Sequence, residues 1–187
     1  MNVLEDETKL YRSIVNAMVH WQHVEIGLYR VFVCLTRMPD QRVASSVFFA
    51  AHGFATKLDM VDAAAQFALM DQPHLNEWKK LKRRAAKLST NRNKIAHYMP
   101  FVDHAEEGSN RFYMRPNIFD AGSALTSARE NKKFRYHEKD VSDIANNFAQ
   151  LYLKLDCFSY LLCGEEPPFT DRQFSHELKP IKLSTKT

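Results

Sequence analysis

Arg92, Asn93 and His97 lie within six residues of one another and carry side chains suited to phosphodiester chemistry. Near neutral pH an imidazole transfers protons, and a guanidinium steadies charge developing on a phosphate. On a helix His97 shares a face with Asn93 at i, i+4, whereas Arg92 and His97 stand about 140° apart. They cannot both point straight at one atom. Either the arginine leans, the helix bends, or two copies of the motif face each other across a dimer. The plainer reading of His97 is a structural histidine near a helix end, where the dipole favours it.

A second chemical feature is a pair of opposite charges that interrupt otherwise apolar seams, Glu25 in one helical pattern and Arg92 in another. A lone buried charge costs several kcal/mol, so each needs a partner, and the seams pair Glu25 with Arg92. This makes Glu25 a supporting residue, or else the pair is only a device that fixes helix register. A basic run, Lys79, Lys80, Lys82, Arg83, Arg84 and Lys87, lies just upstream. It reads either as a solvated helix face or as the footprint of a nucleic acid, with Lys79, Lys80, Arg83, Arg84 and Lys87 as the contact residues. Metal chemistry has little to build on. His20 and His23 are spaced to share an ion, yet no cluster of further ligands accompanies them, and no metal or cofactor is expected.

The elements that position these residues are mostly helical. The spacing predicts a long amphipathic helix from about Thr8 to Arg37, stopped by Met38-Pro39-Asp40, and a second from Gln41 to Ala51. His52-Gly53 breaks before a third helix carrying Phe54, Leu58, Val61, Ala65 and Ala68, which ends at Asp71 to Pro73. A fourth begins near His74, continues through Trp78, Leu81, Ala85, Leu88, Arg92, Ile95 and Met99, and is closed by Pro100. From Phe101 to Tyr136 the helical period is lost. Glu107-Gly108-Ser109-Asn110 forms a turn between two short extended candidates, Arg111 to Met114 and Lys133 to Tyr136. The last helix runs from about Glu138 to Cys163, with Gly164 as its cap.

The fold expected is therefore all-α, an up-and-down bundle of about five helices with a β-hairpin or ordered-loop excursion over about 101–136. Residues 1–164 form the domain and 165–187 a tail that wraps or frays. Composition agrees, with 45% hydrophobic and 26% charged residues among 187 and only five glycines. Cys34, Cys157 and Cys163 show no metal-ligand spacing, and their odd number reads as three reduced core thiols. The net charge of +4 permits an acidic partner. No apolar run is long enough for a bilayer and no secretory h-region is visible, so a cytoplasmic protein without membrane contact is expected.

At Arg92-Asn93-x-x-x-His97 the sequence resembles the HEPN superfamily, whose signature is an arginine, a polar residue that is often asparagine, and a histidine after four to six intervening positions. The Trp21-x-x-x-Glu25-x-x-Leu28 pattern of the first helix and the long helix after the motif suit that resemblance. It implies a metal-independent endoribonuclease working as a homodimer on RNA, in many cases a toxin or defence effector held by an antitoxin or regulatory protein. His97 would then assist attack by a ribose 2′-hydroxyl, Arg92 would stabilise the phosphate, and Asn93 would orient the substrate or His97. In one toxin branch a tyrosine two residues after the histidine is modified. Met99 stands there in this chain, so that form of control is not expected. The alternative is a non-catalytic, dimeric helical interaction module in which Arg92 and Glu25 hold the bundle.

Overall fold

The computed structural model describes residues 3–104, 110–116, 135–167 and 179–181. Within them the chain is mostly helical, with five helices and a two-stranded antiparallel hairpin ahead of the last. The helices are α1 (Val3–Thr36), α2 (Gln41–Ala50), α3 (Phe54–Ala68), α4 (His74–His97) and α5 (Glu138–Leu162), and the strands are β1 (Tyr98–His104) and β2 (Asn110–Pro116). The all-α expectation with one small β-excursion is met. The chain divides into two compact units, Met1–Trp21 with Thr90–Phe148 and Gln22–Ser89 with Ala149–Thr187.

The first unit draws on the start of α1, the end of α4, the hairpin and the start of α5. Helix α1 begins about five residues earlier than its apolar seam suggests, because Glu5 and Asp6 complement the positive end of the helix dipole and Glu5 pairs with Lys9 at 2.8 Å. Trp21 and Phe148 are fully buried and meet edge to face, their ring centroids 5.0 Å apart. Burying each such ring stabilises the unit by about 2–3 kcal/mol. Helix α5 opens with Asp140 reaching back to accept from the His137 amide at 2.9 Å, the return half of a capping box. Ser13 also donates to Glu138 at 3.0 Å.

The hairpin differs from the sequence expectation. Met99 and Pro100 belong to β1, and α4 ends at His97. β1 pairs with β2, Tyr98 opposite Pro116 through His104 opposite Asn110, while Tyr136 makes an isolated bridge to Met114 on the other side of β2. The amide and carbonyl of Met114 are both engaged by Tyr136, at 2.8 and 3.0 Å. In an antiparallel ladder these two groups point the same way, so Pro100, opposite Met114, sits at a non-hydrogen-bonded position. Its missing amide therefore costs no ladder bond, and proline is tolerated inside a strand. The expected turn at Glu107 to Asn110 and the start of the Lys133 segment fall, apart from Asn110, outside the described residues.

In the second unit, Trp78 stacks on Phe158 and donates its indole N–H to Asp62 at 2.8 Å. Asp62 also accepts from Lys82 at 2.8 Å. Burial pushes the Asp62 carboxyl up, but hydrogen bonds from Lys82, Trp78 and Gln66 outweigh it and hold the pKa below the usual aspartate value. Asp40 caps α2 by accepting from the Arg42 amide at 2.8 Å. Gly164 ends α5 in the left-handed region at φ 78°, with its own amide bonded to Leu161 and that of Glu165 to Tyr160, the two bonds of a Schellman motif. In the tail, the Ile181 amide donates to the Leu161 carbonyl at 3.0 Å, and the Lys179 carbonyl lies 2.9 Å from Nε2 of the buried His74.

The cysteines correct the expectation of three reduced thiols. Cys34 and Cys163 form a disulfide, with their Cα atoms 5.6 Å apart, and Cys157 is the buried thiol. Spacing along the chain does not report this pairing. It arises because the end of α1 and the end of α5 are brought within the range a disulfide spans. Cys34 Sγ also lies 3.3 Å from the Ser159 carbonyl oxygen.

Candidate functional site

Arg92, Asn93 and His97 occupy the last turns of α4, in the first unit. Ile95, only 5% exposed, marks the buried side of these turns. Asn93 and His97 each lie about 160° around the helix from it, and Arg92 lies about 60° away. The observed burial follows this geometry: Asn93 and His97 are exposed, and Arg92 is half-buried on the shoulder. Arg92 donates from Nη1 to the Asn93 side-chain oxygen at 3.2 Å. Its Nε–H is shielded from solvent and has no acceptor among the described residues. A shielded donor left without a partner costs about 1–3 kcal/mol, so the group is in want of an anion or other acceptor.

The next residues extend this cationic corner. Lys94 donates to the Tyr136 hydroxyl at 3.0 Å, and Tyr136 meets Tyr98 edge to face at 5.7 Å. The hydrogen bond to Tyr136 raises the Lys94 pKa above the ordinary lysine value, while burial acts the other way. Lys94 is thus a full cation throughout the neutral range. Burial also raises the Tyr98 hydroxyl, with Lys94 pulling it down. Tyr98 and Tyr136 share one face of the hairpin, as the register requires.

The opposite face carries stacked arginines. The Arg115 guanidinium carbon lies 3.5 Å from the centroid of the Phe101 ring, and that of Arg135 lies 4.7 Å from the centroid of Tyr113. Arg115 is paired with Met99 across the ladder, two residues beyond His97, and Met99 is 45% exposed. Among the described residues, neither Arg92 nor Arg115 is in an ion pair, and Nε of Arg115, like that of Arg92, is shielded without an acceptor. The sequence reading passed over Lys94, Arg115 and Tyr136. The signal available for Arg115 was its place directly after an aromatic-rich extended candidate, Arg111 to Met114, which ends one residue short of it.

Glu25 and Arg92 each have a partner that the seams did not suggest. Glu25, in the second unit, accepts from Lys57 of α3 at 2.7 Å, with both side chains largely buried at 15% and 12% exposure. Lys57 also approaches the rings of Phe48 and Phe49 at 5.6 and 5.2 Å. The hydrogen bond of Arg92 goes instead to its neighbour Asn93. A long side chain reaching in from the flank of α3 was not legible from seam spacing.

The basic run lies on the part of α4 that belongs to the second unit. Lys79, Lys80, Arg83 and Lys87 are exposed, with Lys80 paired to Glu77 at 2.9 Å and Arg83 bonded to the Lys79 carbonyl at 3.3 Å. Half-buried Arg84 donates to Gln150 at 2.9 Å, and Lys82 is committed to Asp62 and Asp59. Two shallow hollows in this unit, about 430 and 320 Å³, lie beside Cys34 and Cys163. Neither is lined by a motif residue. Among the described residues no group of three or more histidine, cysteine or acidic side chains is placed to hold a metal ion, and no helix is long and apolar enough to cross a membrane. Comparison with family models, with curated proteins and with solved structures finds no match to this chain.

Proposed function

We propose that the chain is a metal-independent endoribonuclease of HEPN type, with Arg92, Asn93 and His97 as its reacting set. The observation that carries the reading is the outward presentation of Asn93 and His97 on the last turns of α4, beside an arginine whose Nε–H lacks an acceptor among the described residues. His97 faces solvent, where a substrate can reach it.

In this mechanism His97 takes the proton of a ribose 2′-hydroxyl as its oxygen attacks the adjacent phosphorus. The bond from phosphorus to the 5′-oxygen breaks, that oxygen receives the proton His97 took, relayed through water, and the products are a 2′,3′-cyclic phosphate and a 5′-hydroxyl. Arg92 steadies the extra charge on the phosphoryl oxygens, and Asn93 orients Arg92 through the bond they share. Lys94 adds fixed positive charge nearby. The exposed run Lys79, Lys80, Arg83 and Lys87 serves RNA by non-specific attraction. Glu25 has no direct part, since its charge is answered by Lys57.

Asn93 and His97 are exposed, so a second copy is the simplest way to enclose a substrate. Tyr11, Val15 and Val19, four residues apart on α1 in the same unit, are 47%, 60% and 47% exposed and form an apolar stripe suited to such a contact. The same stripe would serve an interaction module without catalysis, and an activity assay separates the two. With a chelator present, wild type should cleave single-stranded RNA to cyclic-phosphate ends, and His97→Ala should lose about 10²- to 10⁴-fold in rate while melting like wild type. No cleavage by wild type, or equal cleavage by the variant, removes the nuclease reading.

A further inference from the structure

The Arg115–Phe101 pair has a geometry that the reacting set does not use. A guanidinium laid on a ring commits one of its faces to the ring and leaves its N–H edge to bind carboxylates or phosphates. Here the pair is close, 3.5 Å from the Arg115 guanidinium carbon to the ring centroid, and no carboxylate among the described residues takes the edge. Among the described residues the Nε–H of Arg115 has no acceptor. β1 leaves α4 directly after His97, and the register sets Arg115 opposite Met99. Two residues of extended chain and one ladder step put the Arg115 and His97 backbones on the order of 10 Å apart.

We propose that Arg115 on its Phe101 platform, flanked by exposed Met99, is a subsite for single-stranded RNA beside the reacting phosphate. An unstacked base lies on the outer face of the guanidinium, and a phosphate oxygen accepts from its edge. Duplex RNA cannot use this subsite, because its bases are already stacked on one another. The choice of RNA over another anion rests on the ribonuclease reading, whereas the stacked, acceptor-poor arginine stands without it.

The test measures binding of a fluorescein-labelled single-stranded RNA 12-mer to His97→Ala protein, which is not expected to cut it, with and without a change at Arg115. Arg115→Ala should weaken binding about 5- to 100-fold and flatten the dependence of log affinity on log salt by about 0.7, one phosphate contact. Arg115→Lys keeps the charge and tests the plane: it should preserve the salt dependence yet still weaken binding several-fold. It also decides the matter if Arg115→Ala melts early. A duplex of the same sequence should change less than about threefold with either variant. Affinity within about twofold of the parent for both variants, equal losses for duplex and single strand, or no RNA binding by the His97→Ala parent each overturn the subsite. Cleavage by wild type is scored separately. Arg115-dependent binding without cleavage sinks the nuclease reading and leaves the subsite, and His97-dependent cleavage with Arg115-independent binding does the reverse.

Discussion

An acid set in the middle of an apolar run has to be answered locally, and Asp156 is answered by Arg30. Asp156 is 4% exposed between Leu155 and Cys157 of α5, and Arg30 of α1 bonds to it within the second unit. The hydrogen bond to Asp156 raises the Arg30 pKa further, so the guanidinium never gives up its charge. Removing the cation would leave a buried carboxylate with its desolvation uncompensated. Arg30→Ala should therefore cost about 3 kcal/mol in urea unfolding, the lower end for a broken buried pair because Arg30 itself is half exposed. The double change Arg30→Met, Asp156→Leu should recover most of that loss. A single variant within about 0.5 kcal/mol of wild type would show that water already screens the carboxylate. The sequence contained a hint of the pair, since Asp156 is the one acid between Asp143 and Glu165. It could not name the partner, just as seam spacing did not name Lys57 as a partner of Glu25. Long basic side chains cross between helices at angles that spacing along one helix does not encode.

At the scale of elements, Gly27 shows how tightly two helices can meet. A Cβ placed there would stand 3.0 Å from the Cβ of Leu155 on α5 and 3.3 Å from the Tyr152 ring. Alanine normally gains about 1 kcal/mol over glycine inside a helix. Here the opposing atom is anchored directly to backbone and cannot swing away. Gly27→Ala is thus expected to destabilise by about 1–2 kcal/mol by overpacking, and a rise in melting temperature would contradict the close approach. The helices themselves were legible, because the seams through Trp21, Leu28, Trp78, Leu81, Phe148, Leu155 and Phe158 are buried there, although the same steps also carry Tyr11, which is 47% exposed. The boundary between α4 and β1 was not. Ile95 and Met99 keep the helical step of four residues, so periodicity carries the helix two residues too far. What ends it is the pairing of Tyr98 and Met99 with Pro116 and Arg115, a contact distant in sequence. The same error hid the most informative feature of the candidate site, the continuity of the motif helix with a strand that faces Arg115.

At the scale of the whole molecule, the disulfide is the strongest single constraint. It joins residues 129 apart in sequence, and in the chain-entropy description closing a loop of that size removes about 4–5 kcal/mol of freedom from the unfolded chain. Reduction should lower the melting temperature by on the order of 10 °C in calorimetry with and without a thiol reductant. Cys34→Ser protein should melt at the lower temperature in both conditions. If reductant leaves the wild-type melt unchanged, the bridge is not formed in solution. Cysteine counting could not foresee it, since nothing in the residues near Cys34 or Cys163 signals that α1 and α5 end side by side.

The bridge also makes the chain from Cys34 to Cys163 a covalent ring, with both motif and hairpin inside it. A single peptide-bond cut anywhere between those cysteines opens the ring without parting the molecule. Nicked protein should run as one species on a non-reducing gel and as two fragments once thiol is added. Limited proteolysis read both ways would therefore reveal a severed backbone that size alone conceals.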